Sequence, residues 1–118
     1  METLKLNKEF KRAYNKGKYH VNPYFVVYCY KNNYNLKNNC GCRYGITATK
    51  KVGKAVQRNR ARRLIRESFR QIYKEIPQNF DYVIVARGHI FSQKTTSLVP
   101  LLKKEIINIT SKFENVKK

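Results

Sequence analysis

The stretch Lys50–Glu67, "KKVGKAVQRNRARRLIRE", decides how this chain is read. Two patterns are superimposed in it. Ala61, Leu64 and Ile65, continued by Phe69, Ile72 and Tyr73, recur at the spacing of a helix with one buried side. Lys50, Lys51, Lys54, Arg58, Arg60, Arg62, Arg63 and Arg66 supply eight cations in seventeen residues, before the first acid at Glu67. Like charges four residues apart destabilise a helix. A merely solvated charged face would intersperse glutamates at that spacing, and here they are missing. An anionic partner is expected to complete the element.

Asn59, Arg62, Arg63, Arg66 and Arg70 have spacings of 0, 3, 4, 7 and 11, which predicts one shared face opposite Ala61, Ile65 and Ile72. Arg58 and Arg60 flank that face at the helix start, and Lys50, Lys51 and Lys54 lie in the approach to it. Arginine dominates here although lysine dominates elsewhere. A planar, forked guanidinium suits bidentate contact with phosphate and stacking on bases. The helix N-terminus, expected near Arg58 and Asn59, adds its dipole and open N–H groups.

Outward from this segment, "CRYGITATKK" reads as a strand and Gly53 as a turn, while Pro77 ends the helix soon after Tyr73. "FDYVIVARG" reads as a buried strand. "SLVPLLKKEIINITSKF" reads as a last helix with Pro100 near its first turn, and residues 114–118, "ENVKK", as a frayed tail. Upstream, "LNKEFKRAYNKG" predicts a short helix capped by Asn7 and stopped by Gly17, with Leu6, Phe10, Ala13 and Tyr14 on one side. "NPYFVVYCYKN" is a strand whose alternation puts Tyr24, Val26, Tyr28 and Tyr30 on one face and Phe25, Val27 and Cys29 on the other. The Asn-rich "NNYNLKNNCG" is a polar connection. The order is that of an α+β sandwich of sheet against helices, a single domain over residues 1–118.

The chain carries 26 Lys+Arg against 7 Asp+Glu, a formal net charge of +19. Such an excess opposes compaction and favours a polyanion, nucleic acid first. No run of 18 apolar residues exists to span a membrane. "METLKLNKEF" lacks the apolar core of a signal peptide, so a cytoplasmic location is expected. Cys29, Cys40 and Cys42 are an odd count, and "CGC" is tighter than a zinc knuckle, so free thiols are expected. The carboxylates are dispersed, and His20 and His89 are isolated. Neither a metal-dependent nor a histidine-pair nuclease is legible, so no catalytic residue and no metal ligand is assigned to the chain.

The same stretch, with its surroundings, resembles the protein component of bacterial ribonuclease P, the arginine-asparagine-arginine motif family. The resemblance runs through Phe10, Tyr14 and Gly17, the strand "FVVY", "YGITATKKVGKAV" leading into Arg58-Asn59-Arg60, and "DYVIVAR", in that order, covering roughly Leu4 to Phe113. It implies an αβββαβα sandwich with a four-stranded sheet and a left-handed βαβ crossover, like the second domain of a small-subunit ribosomal protein. Such a crossover is rare by the usual handedness rule. It also implies an accessory subunit of an endoribonuclease whose RNA performs the chemistry with Mg2+. By this resemblance, Lys50, Lys51, Lys54, Arg58, Asn59, Arg60, Arg62, Arg63, Arg66 and Arg70 bind the RNA subunit. Phe10, Tyr14 and Tyr28 line a cleft for the 5′ leader of precursor tRNA, although helical spacing equally places Phe10 and Tyr14 in the core. The competing expectation is a structural ribosomal or general RNA-binding protein with no part in tRNA processing. A DNA-recognition helix would need a second helix immediately upstream, where "YGITATKK" reads as a strand. A membrane-surface helix would need the apolar side that the core uses.

Overall fold

The computed structural model describes residues 2–37 and 41–115. Its organising element is the strand β5, Phe80–Ala86, whose apolar run Tyr82–Ala86 suits a strand covered on both faces. β4, Arg43–Ala48, lies parallel to it on one side, and β3, Phe25–Lys31, antiparallel on the other. β2, Lys18–Val21, pairs antiparallel with β3 and forms one edge. The four principal strands are ordered β4-β5-β3-β2, and a two-residue strand β1, Glu2–Thr3, extends the β4 edge in parallel.

Helix α3, Ala55–Ile72, connects β4 to β5, and α4, Thr95–Asn115, follows β5. Both cover one face of the sheet. Phe25, Val27 and Cys29 from β3, Tyr82 and Ile84 from β5, and Ala61, Ile65, Phe69 and Ile72 from α3 meet there with Leu98, Leu102 and Ile106 of α4. Phe69 is fully buried and stacks on Tyr44 at 5.0 Å between ring centres. Burying a side chain of this kind contributes about 1.5–3 kcal/mol. The opposite face carries helix α1, Asn7–Lys16, whose Phe10 and Ala13 pack over Val83, Tyr28, Tyr30 and Val85. The principal elements therefore follow the expected αβββαβα order, and β4–α3–β5 is the parallel crossover.

Several local expectations need correction. Asn7 is the first residue of α1 and not its cap; the Glu9 carboxylate instead turns back and accepts the N–H groups of Lys5 and Leu6 at 3.0 and 2.9 Å. Gly17 does stop α1, but by close approach: a Cβ there would lie 2.5 Å from the Ala13 carbonyl oxygen. Pro100 lies inside α4, beyond its first turn. Tyr24 precedes β3 and packs against the α3/α4 core, outside the expected alternation. The Asn-rich connection holds a single helical turn, α2, Tyr34–Lys37. Of the expected tail, residues 114 and 115 continue α4, while 116–118 lie outside the described residues, as does Cys40. Among the described residues, no helix is long and apolar enough to cross a membrane.

Candidate RNA-binding interface

The buried residues of α3 fix where its arginines point. Ala61, Ile65, Ser68, Phe69 and Ile72 face the sheet. Asn59, Arg62, Arg63, Arg66 and Arg70 lie on the side away from the sheet, as their spacing predicts, and the two borders of that side meet different neighbours. Arg58, Arg62 and Arg66, four residues apart, make a column along the flank nearest β4, with Arg58 and Arg62 half-buried and Arg66 exposed. Arg62 donates to the Asn59 side-chain oxygen, which fixes the column's middle member. Arg60 and Arg63 line a different cavity, on the α4 side. Arg70 pairs with Glu67 at 3.4 Å. The face expected from spacing is therefore present, with one flank toward β4, the other toward α4, and Arg70 already paired.

The approach also differs in detail. Lys50 and Lys51, both exposed, belong to a short 3-10 turn after β4, and Gly53 adopts φ 141°, a conformation only glycine enters readily. The helix begins one turn earlier than the arginine motif. Lys54 caps it and donates its N–H to Gln57 Oε1 at 2.8 Å, while the Arg58 N–H is already bonded to the Lys54 carbonyl. The open N–H groups therefore belong near Ala55 and Val56, not Arg58 and Asn59.

Acidic side chains could have neutralised the arginine column from within. They are spent elsewhere. Arg43 takes both Glu9, at 2.7 Å, and Asp81, at 3.0 Å. Glu105 meets His20 Nε2 at 2.6 Å, and Glu75 meets Lys103 at 3.4 Å. His20 is therefore not isolated, as the sequence suggested; β2 carries it onto α4. Among the described residues, no ion pair reaches Arg58, Arg60, Arg62, Arg63 or Arg66. Their charge is left for an external anion.

On the other face of the sheet, the three predicted aromatics do come together. The Tyr14 and Tyr28 rings meet edge-on at 4.9 Å. Phe10 and Tyr14 line a cavity of about 370 Å3 with Asn7, Lys11 and Thr47. Phe10 and Tyr28 also pack on Ala13 and Val83, so they serve the core and the groove at once. Burial raises the Tyr14 hydroxyl above its ordinary pKa; a hydrogen bond with Thr47 opposes the shift and the neighbouring Tyr28 adds to it. That hydroxyl stays neutral and able to donate.

Sequence reasoning missed two members of this groove. Tyr19 is well exposed and lies 5.4 Å from Tyr28 between ring centres, because the β2–β3 register pairs the two residues directly. Only recognition of β2 as a strand would have found it. Gly45 in β4 is the second: a Cβ there would lie 2.5 Å from the Phe10 ring, so the absent side chain is what lets α1 settle on the sheet. Arg66 reaches the same edge, lining a cavity of about 190 Å3 with Phe10, Gly45 and Ile46. The arginine column and the aromatic groove are contiguous around the rim of β4.

Neither cysteine in the described residues is poised for chemistry. Cys29 and Cys42 are free and buried, and burial pushes the Cys42 thiol up to about 11. Among the described residues no three His, Cys, Asp or Glu side chains are grouped to hold a metal ion.

Comparison with known proteins agrees with this geometry. Residues 1–112 match the Ribonuclease P family. The chain is 38% identical over 106 residues to the ribonuclease P protein component of Clostridium botulinum (strain 657), spanning 86% of this chain and 91% of that one. It is 41% identical over 105 residues to that of Caldanaerobacter subterraneus, spanning 86% of each. The RNase P protein of Staphylococcus aureus superposes with a TM-score of 0.70 at 31% identity, covering 94% of both chains. That of Thermotoga maritima gives 0.70 at 34% identity, covering 88% of this chain and 97% of the other. The chain therefore belongs to the ribonuclease P protein family, the accessory subunit of an endoribonuclease.

Proposed function

We propose that this chain binds the catalytic RNA subunit through the cationic flanks of α3 and the approach Lys50, Lys51 and Lys54, and holds the 5′ leader of precursor tRNA in the groove of Phe10, Tyr14 and Tyr28. The observation that carries the reading is the arginine column Arg58, Arg62 and Arg66, unpaired with any described acid and meeting the aromatic groove at Phe10. Arginine forks contact phosphates without regard to sequence. Aromatic stacking is equally sequence-tolerant, at about 1–3 kcal/mol per base, which suits leaders of many sequences.

The described carboxylates do not fit a magnesium site, since Glu9 and Asp81 are both committed to Arg43. Mg2+ is accordingly assigned to the RNA, and the protein's part is to bind and orient. A cytoplasmic place of action follows from that partnership.

The test is cleavage of precursor tRNA by the cognate RNA subunit across magnesium concentrations, with and without this chain. The expected result is that the chain lowers the magnesium requirement and cleaves nothing alone. A chain that never assists that RNA, and instead co-purifies with ribosomes, would overturn the reading in favour of a structural RNA-binding role.

A further inference from the structure

The flank of α3 turned away from β4 has its own cavity, of about 570 Å3, between α3 and the start of α4. Arg60 and Arg63 line it from α3, Phe91 from the short 3-10 turn Gly88–Ser92, Gln93 and Lys94 from the connection that follows, and Thr95 from the start of α4. Three cations thus converge on it. Its one acid, Glu67, is engaged by Arg70 at 3.4 Å. The Arg60 guanidinium lies over the Phe91 ring, 5.5 Å from its centre, although Phe91 is 38% exposed. An exposed aromatic capped by a guanidinium, at the mouth of a cationic cavity, is a stacking platform with phosphate ligands beside it.

We propose that this cavity binds a single splayed-out nucleotide of the RNA subunit, its base stacked at Phe91 and Arg60 and its phosphate between Arg63 and Lys94. The proposal rests on the function given above and deepens it. The cavity lies within the volume range of small-ligand pockets. A concave site of this kind accepts an unstacked base from a loop or bulge, whereas a duplex presents a convex backbone to it. Gln93 and Thr95 supply side chains that bond base edges or a 2′-hydroxyl. The leader is the wrong occupant by position. Arg60 is roughly 120–160° around the helix from Arg66 and Arg62, and the aromatic groove lies on the α1 face of the sheet, whereas this cavity lies beside α3 and α4. Two RNA segments can therefore engage α3 at once, one on each flank.

The experiment measures the affinity of the full chain for the RNA subunit alone, for wild type, Phe91→Ala, Phe91→Trp and Lys94→Ala, with chemical probing of RNA nucleotide flexibility in each complex. Phe91→Ala is expected to weaken binding about tenfold, with Phe91→Trp near wild type. Lys94→Ala should lower the salt slope by about one. One RNA nucleotide, protected by wild type, should become reactive in the Phe91→Ala complex. The preference of the holoenzyme for precursor over mature tRNA should stay unchanged. Equal affinities with no nucleotide changing reactivity would overturn the proposal while leaving the function intact. So would a lost preference for precursor, which would place the cavity on the leader path. A wild-type chain that fails to bind the RNA subunit at all would overturn both.

Discussion

Arg43 grips Asp81 with two hydrogen bonds, Nε to Oδ1 and Nη2 to Oδ2, both 3.0 Å, in a strand pair where Asp81 is fully buried. The same guanidinium reaches Glu9 of α1 at 2.7 Å, while Asn32 and Asn35 donate to the Asp81 carboxylate at 2.9 and 3.1 Å. Segments distant in sequence are thus joined through one carboxylate. The hydrogen bond to Asp81, against the opposing effect of burial, raises the Arg43 pKa further above its ordinary value. Replacing Arg43 with methionine would leave Asp81 buried without its bidentate partner. We expect a loss of about 3–5 kcal/mol, read as a shift in the urea midpoint; a loss below about 1 kcal/mol would mean that the asparagines, with Arg12 Nη2 at 3.7 Å from Asp81 Oδ2, suffice.

Glu9 gives this network a pH dependence of known sign. Burial would raise its carboxyl, but the N–H groups of Leu6 and Lys5 and the Arg43 guanidinium outweigh burial and hold it below its ordinary value of 4.5. A depressed carboxyl contributes stability that is fully present above the unfolded value and is lost as pH falls through the folded one. Glu9→Gln should therefore be less stable than wild type at neutral pH, and the gap should close as pH falls below the ordinary value of 4.5. Chemical denaturation of both proteins across that range checks it. A gap that widens in acid would reverse the assignment.

The long strands and helices were legible because burial imposes period on them: Phe25, Val27 and Cys29 alternate into the core, and Ala61, Ile65, Phe69 and Ile72 return every turn, whereas the edge strand β2 shows no such alternation. What remained illegible depends on contacts between distant residues. Asn35 reads as loop chemistry in the sequence, yet its amide serves Asp81, 46 positions away. His20, on strand β2, reads as solitary because its partner Glu105 comes from α4. The spacing of the arginines predicts their helix but not their division between two flanks, because that depends on where β4 and α4 abut α3. Phe10 was ambiguous between core and groove, and it serves as both.

The arginine column offers a test that separates phosphate contact from mere net charge. Arg62→Ala with Arg66→Ala should weaken RNA-subunit binding and flatten its dependence on log salt by about one unit for each phosphate no longer neutralised. Arg70→Ala removes the same type of charge from an arginine already paired with Glu67, and should change the slope much less. Titrations at several salt concentrations distinguish them. Equal slopes for wild type and both variants would mean that the column touches no phosphate.

Gly45 connects the fold to the groove most directly. A methyl group there would fall 2.5 Å from Phe10 Cε1 and Cζ, so Gly45→Ala must push the ring, and with it α1, off the sheet. Phe10 shares its cavity with Tyr14, and Tyr14 meets Tyr28 edge-on, so the displacement reaches every aromatic that would stack on a leader. The arginine column is anchored by Ala61, Ile65 and Phe69 on the opposite face and stays in place. Gly45→Ala should therefore reduce holoenzyme affinity for precursor tRNA about tenfold, the worth of one stacked base, while mature tRNA and the bare RNA subunit bind nearly as before. Tyr28→Ala should show the same selectivity without moving α1. Binding of precursor and mature tRNA to both variants checks the pair. If each variant weakens both RNAs equally, the groove holds no leader and these rings only pack.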